Sequence, residues 1–117
     1  MGFRVDGTVY TVDMDRFMDF VAGIDDEEYR NTTVTQTYAR DPGDDEMSLL
    51  SKEIMENRLN ANDSMVQIRY DFAKTLLDNV MGVASTENTS SSLTFGQKLA
   101  INTLVDYGII NVKKMND

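Results

Sequence analysis

Cysteine and histidine are both absent from the 117 residues, and these two gaps exclude more chemistry than any motif in the chain supplies. Without a thiolate or an imidazole there is no zinc finger, iron–sulfur ligation, thiol nucleophile, Ser-His or Cys-His relay, or histidine metal ligand. A secreted domain this small more often carries disulfides, so the missing cysteine favours the cytoplasm of a host cell, or a virion, as the setting. No run approaches the roughly 18 apolar residues of a membrane span. The opening Met1-Gly2-Phe3-Arg4-Val5-Asp6-Gly7 has no basic region followed by an apolar core, so neither a leader nor a membrane contact is expected.

Basic residues are also scarce. Lys and Arg number 11 against 20 Asp and Glu, a net charge of −9. The imbalance is confined to one part: residues 1–68 carry 15 acids and 6 bases, whereas residues 69–117 carry 5 of each. Direct nucleic-acid binding is disfavoured, because it needs Lys and Arg to displace phosphate counterions and the only basic cluster is Lys113-Lys114. The length, with 41% hydrophobic residues, fits one domain over residues 1–117 that folds without disulfides or metals.

Local signals predict a small α+β domain. An N-terminal β-hairpin and additional short strands form a single layer of sheet, covered by about three helices. Asp6-Gly7 is the two-residue signal of a type I′ turn. If Val5 pairs with Thr8, then Phe3 pairs with Tyr10 and Met1 with Val12, which collects the apolar residues on one face and sends Arg4 and Thr11 to the other. Asp13 suits an N-cap for a helix to about Ala22, with Met14, Phe17, Met18 and Val21 on one side and Gly23 expected as a left-handed C-terminal residue. Residues 29–40 are rich in β-branched and aromatic types and predict a strand, whose polarity suits an edge or a half-exposed position. Asp41-Pro42-Gly43-Asp44-Asp45 is a turn.

Residues 47–59 fit a helix with Leu50, Ile54 and Leu59 on one side, and fit an alternating strand equally well. A strong helix follows at about Ser64 to Met81, with Met65, Ile68, Phe72, Leu76 and Val80 as its core stripe and Gly82 at its end. Residues 84–92 have the composition of a flexible loop. Thr94-x-x-Gln97 is a capping box that opens a last helix carrying Phe95, Leu99, Ile101, Leu104 and Val105 and stopping at Gly108. A strand from Ile109 to Lys113 closes the chain.

Candidate chemistry is thin. Asp13-Met14-Asp15 begins like a calcium loop, but Phe17 and Met18 stand where the third ligand and the turn glycine belong, which leaves helix capping. Asp71, between Tyr70 and Phe72, and Asp106, beside Tyr107, are the acids flanked by aromatics, and each falls on the polar side of its helix. Thr94-Phe95-Gly96-Gln97-Lys98 lacks the spacing of a phosphate loop, so Gly96 is read as permitting close packing. No catalytic, cofactor-binding or metal-ligating set emerges, and no cofactor is expected. The feature most readily tied to function is the strand with Thr32, Val34, Gln36, Tyr38 and Arg40, since an unpaired edge recruits a strand from a partner, the alternative being a strand covered inside the same domain.

Three segments carry a resemblance: Val5-Asp6-Gly7-Thr8-Val9-Tyr10-Thr11-Val12-Asp13, Ile68-Arg69-Tyr70-Asp71-Phe72-Ala73-Lys74, and Leu99-Ala100-Ile101-Asn102-Thr103-Leu104-Val105-Asp106-Tyr107-Gly108. Together they resemble small uncharacterised proteins of gut bacteria and their tailed phages. The resemblance implies a phage or mobile-element origin and carries no activity to any residue. With the composition, it leads to the expectation of an acidic, non-enzymatic protein–protein interaction module. Such a module would be a structural or assembly component of a phage or mobile-element complex, with other proteins or copies of itself as partners. The alternative is an acidic inhibitor that mimics nucleic acid and occupies the basic groove of a host defence protein.

Overall fold

The computed structural model describes residues 2–24, 46–84 and 86–114. Two strands, β1 (Gly2–Val5) and β2 (Thr8–Val12), form the hairpin that Asp6-Gly7 predicts. Both turn residues take positive φ, 50° at Asp6 and 81° at Gly7, as a type I′ turn requires. The pairing runs Val5↔Thr8 and Phe3↔Tyr10, the expected register. The Phe3 and Tyr10 rings stack with centroids 5.4 Å apart.

Helix α1 (Met14–Ala22) starts where Asp13 Oδ1 accepts the Arg16 N–H at 3.1 Å. Gly23 departs from expectation, since its φ is −84° rather than left-handed. The helix tightens instead, with the Gly23 N–H donating to Asp19 O and the Ile24 N–H to Val21 O, so no positive φ is needed there.

Residues 47–59 are helical, within α2 (Glu46–Asn60). Met47, Leu50 and Ile54, spaced three and four apart, are buried, whereas Leu59 is exposed at 68% and is not part of that face. Helix α3 (Ser64–Met81) follows, with Asp63 Oδ1 accepting the Met65 N–H at 2.8 Å. Its core stripe is not the expected one. Tyr70, Ala73, Leu76, Leu77 and Val80 are buried, while Met65, Ile68 and Phe72 face outward. The buried face is centred on Ala73 and Leu77, about a quarter turn from the predicted one.

Composition alone predicted a loop at 84–92. The structure places a short strand there, β3 (Glu87–Asn88), and a 3₁₀ turn at Ser90–Ser92. Side chains anchor both: Asn88 Nδ2 donates to Arg4 O at 3.0 Å, and Ser90 Oγ donates to Asp6 Oδ2 at 2.5 Å.

Helix α4 (Phe95–Asp106) opens on the predicted capping box. Thr94 Oγ1 accepts the Gln97 N–H at 3.1 Å, and Gln97 Oε1 accepts the Thr94 N–H at 2.9 Å. Of the apolar residues that this helix carries, Ala100, Ile101 and Leu104 are buried, whereas Phe95 and Leu99 are exposed. The helix ends in a Schellman arrangement, with the Ile109 N–H donating to Leu104 O and the Gly108 N–H to Val105 O. Strand β4 (Ile110–Lys114) then returns to the sheet.

The fold is therefore α+β. Among the described residues, four strands in the order β3-β1-β2-β4 form an open mixed sheet, with β1 parallel to β3 and antiparallel to β2. Phe3, Val12 and Ile110 are buried on one face, against a core that takes in Phe17, Met18, Val21, Leu50, Ile54, Leu77, Val80 and Leu104. Arg4, Thr11, Asn111 and Lys113 occupy the other, exposed face. Among the described residues the sheet is thus a single layer with helices packed on one side.

Candidate functional site

The expected interaction strand, Thr32, Val34, Gln36, Tyr38 and Arg40, lies outside the described residues, as does the acidic turn at 41–45. The other candidates are placed. Asp13 caps α1, and Asp15 is exposed in its first turn. Asp71 forms an ion pair with Arg58 across the α2–α3 hairpin. Asp106 is exposed, Tyr70 is buried, and Tyr107 is half exposed. The structure brings neither acid together with its aromatic neighbour in a cavity. Among the described residues no group of three or more carboxylates could hold a metal ion, and no helix is long and apolar enough to cross a membrane.

What the structure does bring together is apolar. Phe20 of α1 packs against Tyr107, just past α4, with ring centroids 5.5 Å apart. With Gly23, Ile24, Arg69 and Phe72 these rings line an open recess of about 290 Å³. One wall is fixed by a hydrogen bond from Arg69 Nη1 to Ile24 O at 2.7 Å, which ties α3 to the end of α1. Phe72 belongs both to this recess and to the outward face of α3. Along that face Met65, Ile68 and Phe72 are exposed at 56%, 58% and 44%, and they lie within about 60° of one another on the helical wheel. A row of three large apolar side chains thus runs into an aromatic-floored recess.

Among the described residues no carboxylate lines the recess, and the polar side chains that do are Arg69 and Tyr107. Such a lining suits an apolar side chain with a carbonyl beside it, rather than a charged small molecule. A second recess of about 300 Å³ lies between the hairpin and α4, lined by Val5, Tyr10, Ser90, Leu93, Lys98, Ile101 and Asn102. Glu53 on α2 has a displaced titration: partial burial, with the neighbouring Glu56 carboxylate adding to it, raises its carboxyl above the ordinary 4.5. It lines neither recess.

Sequence reasoning missed the Met65/Ile68/Phe72 row as a surface because it assigned those residues to the core. The signal was present. Tyr70, Ala73, Leu77 and Val80 form a second stripe at the same spacing, and a helix with two such stripes has one to spare. No family model matches the chain, and comparison with curated proteins and with solved structures finds no match.

Proposed function

We propose that this protein is a non-enzymatic protein–protein interaction module, and that the outward face of α3 with its adjoining recess is the surface that meets the partner. The observation that carries the reading is the exposure of Met65, Ile68 and Phe72 in one row leading into the Phe20–Tyr107 recess. Contiguous apolar surface of this kind costs free energy in water, and it is kept where a partner covers it. The row is helical and spaced three and four apart, so its complement is a partner element with an apolar stripe of matching pitch. Participation in a phage or mobile-element assembly rests on the sequence resemblance alone.

Five of the described carboxylates are engaged within the chain, which counts against the nucleic-acid-mimic reading. Asp13, Asp71, Asp78 and Glu87 are each paired with a nearby cation, and Asp6 is occupied by Ser90.

The test is a double substitution, Ile68→Glu with Phe72→Glu, followed by crosslinking and mass spectrometry in the native source. Both side chains are exposed, so the variant is expected to melt within a few degrees of the parent while losing the crosslinks that the parent makes through α3. Retention of the same crosslinks by the folded variant would refute the assignment of this face.

A further inference from the structure

We infer that the edge of β4 that is left unpaired among the described residues pairs antiparallel with the same edge of a second copy of this chain, joining two four-stranded sheets into one across a two-fold axis. The argument starts from strand parity. Val5 and Thr8 close the two-residue turn as a hydrogen-bonded pair, so along β2 the even residues direct their backbone groups toward β1 and the odd ones toward β4. Val9 faces Lys113 and Thr11 faces Asn111 in the β2–β4 pairing. The odd residues of β4 therefore bond to β2, and the Asp13 N–H to Ile109 O bond of 2.8 Å continues that ladder. The backbone groups of Ile110, Val112 and Lys114 consequently point away from the sheet. Among the described residues none supplies a hydrogen bond to them. An open edge of this kind is a template for another strand.

Parity also fixes the register. Outward residues must lie opposite outward residues, and the one alignment that uses all of them sets Val112 opposite its own equivalent and Ile110 opposite Lys114. Lys113 then faces Asn111. Lys113 never opposes its own equivalent in this register, so the charge that guards the edge against parallel pairing leaves this one open. The side chains supply the reason for a second copy rather than an arbitrary strand. Phe3, Tyr10 and Val112 are cross-strand neighbours in one row on the core face. Exposure rises along that row from 2% at Phe3 to 45% at Val112. A two-fold axis beside Val112 places the same row, reversed, against it, and each Val112 covers the other. A five-residue edge buries less than a standard interface, so the dimer is weak, with a dissociation constant of roughly 100 micromolar.

The experiment is sedimentation of the full chain over a concentration series, with Val112→Pro alongside. The Val112 N–H points outward, so proline removes an intermolecular donor and leaves the bonds to β2 intact. The expected result is a concentration-dependent dimer in the parent and a folded monomer in the variant. A parent that stays monomeric at about 1 millimolar, ten times the expected constant, overturns the proposal, as does a folded Val112→Pro chain that dimerises like the parent.

Should Val112→Pro fail to fold, single cysteines decide, because the chain has none of its own. Val112→Cys should crosslink to itself readily on oxidation, since directly opposed residues sit about 5.5 Å apart between Cα atoms. Asn111→Cys should crosslink at least tenfold more slowly, and equal rates would overturn the register. The α3 face takes no part in this pairing. The dimer should therefore survive Ile68→Glu with Phe72→Glu, so the two surfaces fail or stand separately.

Discussion

Gly96, in the first turn of α4, lies close against the side chain of Asn79 on α3. A Cβ built on Gly96 would sit 2.7 Å from Asn79 Oδ1, inside any real contact distance. Asn79 cannot swing away freely, because its Nδ2 donates to Thr75 O at 2.8 Å. Gly96→Ala should improve the intrinsic helix propensity of α4 and still destabilise the protein, by about 1 kcal/mol, because overpacking outweighs the propensity gain. Chemical denaturation checks the sign. The double variant Gly96→Ala with Asn79→Ala should recover most of the loss, and no recovery would show that the clash lies elsewhere. The close-packing role of Gly96 was legible in the sequence, as a glycine in the first turn of a capped helix, whereas its partner was not. Asn79 lies on another element, and nothing local to Gly96 points to it.

At the scale of elements, the devices that depend on neighbours in sequence were the ones that could be read. The type I′ turn, the Asp13 cap and the Thr94–Gln97 capping box each need only a few consecutive residues, and each is present. Choices that depend on distant partners were not legible. In α3 two stripes compete at equal spacing, and the one containing the small Ala73 is buried while the bulkier Met65, Ile68 and Phe72 stay outside. Counting hydrophobicity favours the bulkier set, and only the placement of α2 and α4 decides the matter. Likewise β3 forms in a Ser/Thr-rich stretch because Asn88 and Ser90 bond to the hairpin, which composition does not reveal. The two stripes make opposite predictions for truncation. Leu77→Ala, at a fully buried position, should cost 2 to 5 kcal/mol, roughly the range for buried leucines. Phe72→Ala should cost about 1 kcal/mol, since much of the ring is already in water. Urea midpoints of the two variants check this, and equal losses would return Phe72 to the core.

For the molecule as a whole, charge sets how stability responds to pH. A net charge of −9 on 117 residues repels itself in the compact state. The opposing ion pairs among the described residues, Arg4–Glu87, Arg16–Asp13, Arg58–Asp71 and Lys74–Asp78, have at least one partner well exposed. Such pairs contribute about 0 to 1 kcal/mol each. Repulsion therefore governs the slope where carboxylates begin to take up protons below neutrality. Glu53 acts in the same sense. Its folded carboxyl titrates above the ordinary 4.5, so the folded state binds that proton more tightly than the unfolded chain does. The penalty is fully present above the raised folded value and is relieved as pH falls through it toward 4.5. In low salt the melting temperature should accordingly rise as pH is lowered from 7 to about 5, before the remaining carboxylates protonate and the ion pairs are lost. Salt at about 0.5 M shortens the screening length and should flatten most of that rise. Glu53→Gln should remove the residue of it that salt leaves, because desolvation at one site is not screened by ions in bulk. Thermal scans at two pH values and two salt concentrations, on parent and variant, separate the long-range part from the local one. A melting temperature that falls steadily from pH 7 downward would mean that the ion pairs, not the excess of acids, control the balance.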